Sequence, residues 1–253
     1  RVDLSTGNLE TGASFSGTLY PRRCDLSPDG KLLCYFALKG SGGEFMGQRG
    51  VKTYSAVSKA PWLFALAAWP EDGTWTRGAH FQEGAATNSA PLGPPQHGDL
   101  GPLAARHRLA LVRTNPLQYA TERRRGWVED SESPQQGAND VWDERRKVVL
   151  TKRRPAGKHA PGDRLILRDE GIQARGGIEG RSPSYSLERR GNVLRLDNVG
   201  WADWDQFGRL LAATRDGRVQ IRDADSPDLK VMREHELSRA LPNQPAPAWA
   251  RSW

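Results

Sequence analysis

The chain has 253 residues, a mean hydropathy of −0.69, and 37 Lys and Arg against 30 Asp and Glu, for a formal charge of +7. That length supports one large core or two small ones. No apolar run approaches the roughly 18 residues of a membrane-spanning helix. Two cysteines exclude a disulfide-rich scaffold and an all-cysteine zinc site.

The chain opens Arg1-Val2-Asp3-Leu4, with no apolar signal segment and no Met. A cytoplasmic location is the expectation, and secretion is unsupported rather than excluded. Helical periodicity is poor throughout. The 27 Gly and 17 Pro punctuate short runs of β character. These runs are 32–38, 63–69, 109–113, 147–151, 164–168, 193–196, 210–214 and 219–222. Many short strands joined by turn chemistry predict an all-β sandwich, barrel or propeller.

The sharpest local signal is Ser27-Pro28-Asp29-Gly30-Lys31. Pro pre-sets φ, Asp suits the next position and Gly supplies a left-handed residue, which together predict a three-residue hairpin loop. With Ser27 opposite Lys31, Cys24 falls opposite Cys34. The two thiols are then close enough to bridge, although two reduced thiols packing as small hydrophobes is the favoured reading. A related segment spans 63–81, with a turn at Glu71-Asp72-Gly73 and a return starting at Thr74. In its strand, Trp62, Phe64 and Leu66 alternate and share a face. They read first as packing between sheets and second as an aromatic platform.

Three connections are long: 82–105, 130–140 and 153–163. Such loops in a compact domain are often functional or mobile. Ser184 to Leu187, a turn at Arg190-Gly191-Asn192, and Val193 to Leu196 make a further hairpin. Near the C-terminus, Asp205-Gln206-Phe207-Gly208-Arg209 repeats the turn at Ser27 and continues through Arg215-Asp216-Gly217-Arg218 into a three-strand meander. The tail 241–253, with Pro242, Pro245, Pro247, Trp249 and Trp253, reads as an extended segment whose indoles either pack on the body of the protein, the favoured reading, or dock on a partner.

Trp204 to Asp223, through Phe-Gly-Arg-Leu-Leu-Ala-Ala-Thr-Arg-Asp-Gly-Arg-Val-Gln-Ile-Arg-Asp, resembles the inner strands of a blade in a WD-repeat-like bacterial β-propeller. Cys24 to Lys39 resembles the first two strands of another blade. The Gly-His pair of WD repeats is missing, and Ile221-Arg222-Asp223 stands where a Trp-Asp ending is usual, so an irregular propeller fits better. At about 40 to 50 residues per blade, the resemblance implies five or six blades of antiparallel meanders with long Gly/Pro-rich loops. The single propeller domain would span 1–240, followed by the tail.

Chemical motifs are sparse. The five histidines carry no metal spacing, and Asp223-Ala224-Asp225-Ser226-Pro227-Asp228 lacks the Gly and terminal Glu of a calcium loop. Gly40–Gly43 and Gly171–Gly180 lack the following helix that cradles a phosphate. There is no Gly-x-Ser-x-Gly elbow. Asp203 and Asp205 share a face, and such pairs more commonly tie loops than perform acid/base work. No catalytic, cofactor or metal residue is therefore assigned, and no cofactor is expected. Of the 37 basic residues 29 are Arg, in clusters that read either as a polyanion surface or as solvated strand ends. The leading expectation is a non-enzymatic interaction module that binds a protein partner through its loops and an Arg-rich face. Arg106, Arg108, Arg123, Arg124 and Arg125 are the candidate contacts. Nucleic acid or another polyanion is the alternative partner, and a hydrolase or glycan-active propeller is the second alternative. Sequence reasoning leaves the oligomeric state open.

Overall fold

The computed structural model describes residues 1–39, 44–45, 48–49, 52–74, 78–83, 92–114, 119–133, 147–155, 162–171, 182–237 and 244–253. Their regular structure is mostly β, and every sheet is antiparallel. The chain forms two compact units. The first contains Arg1, 10–121 and 242–253, and the second contains 2–9 and 122–241. No described helix is long and apolar enough to cross a membrane.

In the first unit, β1 (Gly17–Leu19) and β2 (Asp25–Leu26) both pair with β3 (Leu32–Lys39). After a short hairpin of β4 (Glu44–Phe45) and β5 (Gln48–Arg49), the sheet continues through β6 (Thr53–Lys59) and β7 (Ala67–Glu71). β8 (Gly78–Glu83) leaves it. β9 (His97–Gly98) returns to pair with β7, α1 (Gly101–His107) follows, and β10 (Leu109–Thr114) pairs with β8 as a second sheet. β3 is apolar almost throughout because both of its faces are covered. Leu32 and Cys34 pack with Val57, Trp69, Phe81, Leu103 and Leu111. Tyr35 and Ala37 pack with Tyr54, Ala56 and Ala68 on the other side.

After α2 (Ala120–Arg124), the second unit holds two meanders. One is β11 (Val128–Glu129), β12 (Val148–Arg153), β13 (Arg164–Asp169), β14 (Ser184–Arg189) and β15 (Asn192–Arg195). The other is β16 (Val199–Trp204), β17 (Leu210–Thr214), β18 (Arg218–Arg222) and β19 (Val231–Glu236). From β16 to β19 the strands become steadily more exposed; in the other meander β12 and β13 are largely buried, β14 is half-buried and β15 is exposed along its whole length, as β19 is along nearly all of its own. Lys152 on β12 donates to Asp203 on β16 at 2.6 Å, and the Trp204 indole donates to the Lys152 carbonyl at 3.1 Å. These contacts seat the buried strand of one meander on that of the other.

The structure corrects three local expectations. The Ser27 turn is one residue longer than a three-residue loop, since the Ser27 N–H donates to the Leu32 carbonyl and Asp25 faces Cys34. A slip of one residue moves a side chain to the other face of a sheet. Cys24 accordingly packs with the Tyr35 cluster and Cys34 with the Leu32 cluster, and the two do not form a disulfide. The strand expected over 63–69 begins only at Ala67. Trp62 and Leu66 are buried while Phe64 is 43% exposed, so the alternating platform does not form. Beyond Gly73 the chain does not return along β7, because β8, buried over its first four residues, belongs to the other sheet.

The connection 82–105 contains β9 and α1 in its described part. The Gly-rich stretches 40–43 and 172–180, and most of the other two long connections, lie outside the described residues. Trp253 packs against the Leu32 cluster and lies 6.4 Å from the His107 ring. Trp249 is 52% exposed; its carbonyl accepts from the Lys59 ammonium at 2.8 Å.

Candidate binding surface

The five candidate arginines lie on two short helices and the residues just after them. α1 has Pro102 in its first turn, and Asp99 accepts the Gly101 N–H at 2.9 Å. Leu103 anchors the helix in the core at 1% exposure. The helix ends at Arg108, whose N–H bonds the Ala104 carbonyl and whose left-handed φ of 53° turns the chain out of the helix. Arg106 and Arg108 are exposed, and neither makes an ion pair among the described residues. Their charge complements the C-terminal end of the helix.

α2 ends in Arg123 and Arg124, and Arg125 follows. Trp127, packed edge-on against Tyr185 at 6.2 Å, fixes the exit of the chain. Arg123 is engaged by Glu129 at 2.6 Å, and Arg124 and Arg125 are exposed residues. Arg106 and Arg108 belong to the first unit, and Arg123, Arg124 and Arg125 to the second.

Many other arginines are structural. Arg113 meets Glu71, Arg164 meets Glu188, Arg168 meets Glu132 and Arg209 meets Asp205. Arg22 stacks 4.1 Å over Tyr119. Arg23 lies over both Tyr20 and Phe36 and donates to the Thr74 carbonyl. The carboxylates singled out in the sequence are engaged in the same way. Asp205 accepts the Phe207 and Arg209 N–H groups, and Asp203 accepts Lys152 and the Trp204 N–H. His235 contacts the Gly7 carbonyl at 2.9 Å. In the loop 223–228, Asp223 accepts the Asp225 N–H and Ser226 donates to Asp228. The Ser226 hydroxyl holds the Asp228 carboxyl below its ordinary range.

The most built polar cluster escaped sequence reasoning. It lies in the second unit, where Arg154, just after β12, donates to both oxygens of Asp225 at 2.7 and 3.2 Å and to the Gly208 carbonyl at 2.6 Å. Buried Asp163 lies 3.5 Å from Arg154 and 3.6 Å from Arg189. Arg189 also donates to the Ala224 and Ser226 carbonyls. Beside this network opens a cleft of about 360 Å³ lined by Leu187, Arg189, Arg190, Asn192, Leu194, Asp225 and Pro227. Its lining mixes apolar Leu187, Leu194 and Pro227 with polar Arg189, Arg190, Asn192 and Asp225, a combination that binds by contact and hydrogen bonding. Among the described residues no cluster of His, Cys, Asp or Glu is arranged to hold a metal.

Comparison of the chain with protein-family models, with curated proteins and with solved structures finds no match.

Proposed function

We propose that the chain is a non-enzymatic interaction module, an irregular scaffold of the β-propeller kind that binds an acidic protein partner through its connecting segments. The observation that carries this reading is a division among the arginines. Most of those within the sheets are matched by carboxylates, carbonyls or rings, Arg153 and Arg233 apart, whereas Arg106 and Arg108 stand on a connector with no ion pair among the described residues. An exposed cation held on a rigid element costs little to place and steers an acidic partner. The propeller part of the reading is supported by sequential antiparallel meanders whose last strands, β15 and β19, are the most exposed, and by the recurrent turn at Gly30 and Gly208.

The test is charge reversal of Arg106 and Arg108, which make no ion pair among the described residues, to Glu. Quantitative capture of a partner from the native host should fall about tenfold. Unchanged capture of every wild-type partner overturns the reading.

A further inference from the structure

We propose that β15 and the adjoining cleft form a binding site for an extended acidic peptide, which adds as a further strand to the β12–β15 meander. The inference rests on the reading of the chain as a protein-binding module and names the kind of partner one of its surfaces takes.

The backbone supplies the first part of the argument. The Leu196 N–H donates to the Tyr185 carbonyl, and Leu194 faces Leu187 in the same register. Hydrogen bonding alternates along an antiparallel strand, so Asn192, Leu194 and Leu196 bond toward β14. Val193 and Arg195 therefore present their N–H and C=O groups outward, and among the described residues β15 pairs with β14 alone. All four residues of β15 are exposed, with Val193 at 62% and Leu194 at 45%. Sheet edges are ordinarily guarded by Pro, by bulges, by clustered charge or by covering chain. β19 has such guards: Arg233, Glu234, His235 and Glu236, a register shift on its β18 side, and the 2–9 segment resting its Gly7 against Arg233 and His235. β15 has a single charge, Arg195, and no Pro or register shift.

The side chains supply the specificity. Arg189 faces Asn192 and Leu187 faces Leu194, so these four share one face of the hairpin and line the cleft. An added strand would lower every second side chain onto Leu187, Leu194 and Pro227. At the cleft, the charges of Arg189 and Asp225 are matched by Asp163 and Arg154. Arg190, exposed at the hairpin tip, has no ion pair among the described residues. The uncompensated charge of the lining is therefore positive, and the fitting occupant carries a carboxylate at the Arg190 end.

The test uses the whole chain and short fluorescent peptides of alternating Val and Thr ending in Glu, the same peptides ending in Lys, and Glu peptides N-methylated at the pairing positions. Anisotropy should show the Glu peptide bound about tenfold more tightly than the Lys peptide, and the N-methylated peptide should not bind. Arg190→Asp should weaken binding about tenfold. Asp tolerates the left-handed φ of 50° at this position, so the thermal melt should hold. Val193→Pro removes an outward N–H while leaving the bonds to β14, and should weaken binding about fivefold or more. Equal affinity for the Glu and Lys peptides, or binding indifferent to N-methylation, overturns the proposal. Binding of a single-stranded RNA that Arg190→Asp abolishes and Val193→Pro leaves intact, with no peptide binding, assigns the surface to polyanions and also overturns it. If the Glu peptide fails to bind while the Arg106 and Arg108 reversal still lowers partner capture, only the strand-addition site falls.

Discussion

The turns at Gly30 and Gly208 use the same glycine in the same left-handed conformation, with φ of 67° and 74°, yet they close differently. At the first, Pro28 and one extra residue make Ser27 face Leu32, and the Ser27 hydroxyl accepts the Leu32 N–H at 2.9 Å while donating to Asp29. At the second, Asp205 faces Arg209, and its carboxylate gathers two backbone N–H groups and the Arg209 guanidinium. The strands leaving both turns are alike: Leu32 and Leu210 are fully buried, as are Cys34 and Ala212 two residues on. The strands entering them differ. Leu26 is 44% exposed where Trp204 is buried. Asp25 accepts the Phe81 N–H of a later strand, whereas Asp203 accepts Lys152 of an earlier one. A shared glycine therefore sets where the chain reverses. The number of residues around it sets which face each side chain takes, and so which neighbour it meets.

The largest effects test the likeness. Leu32→Ala and Leu210→Ala should each cost about 3 kcal/mol, because each removes a fully buried side chain from a packed sheet. Denaturant melts that differ by more than about 1 kcal/mol between the two variants would break the equivalence of the exit strands. The next effects test the difference. Asp205→Ala should cost about 2 kcal/mol, since a buried carboxylate leaves three donors behind. Ser27→Ala, which frees one backbone donor, should cost about 1 kcal/mol. The reverse order in the same melts would mean that the longer loop depends more on its hydroxyl than on its proline.

The smallest effect is confined to the first unit. Burial raises Tyr54 from its ordinary 10.0 to about 12 and moves Tyr35 upward too. A phenol neutral in the folded protein and ionised in the unfolded chain leaves stability intact below pH 10 and removes it as pH rises toward 12. An absorbance titration of phenolate should show Tyr54 ionising together with loss of the first unit's structure, and Tyr54→Phe should shift that loss to higher pH.

Much of the strand map was legible because β-branched and aromatic runs lie between Gly and Pro. The 210–214 run is β17 residue for residue, and the 164–168 run falls short of β13 by one residue. β19, Val-Met-Arg-Glu-His-Glu, was not legible: an exposed outer strand needs no apolar alternation. α1 was hidden by the Gly and Pro around it, although Pro102 at its start follows the usual rule. The cleft was the least legible feature. Arg154, Asp163, Arg189 and Asp225 come from four separated stretches, with no spacing to mark them.

The sequence by itself determined that the chain is built from short antiparallel strands, and where most of them turn. Propensity and turn chemistry act over a few neighbouring residues. Tertiary structure alone decided which strands share a sheet, which cysteine lies on which face, and which arginines remain at the surface without an internal carboxylate. Those outcomes depend on register and on burial against distant segments, and a change of one residue in a loop reverses them.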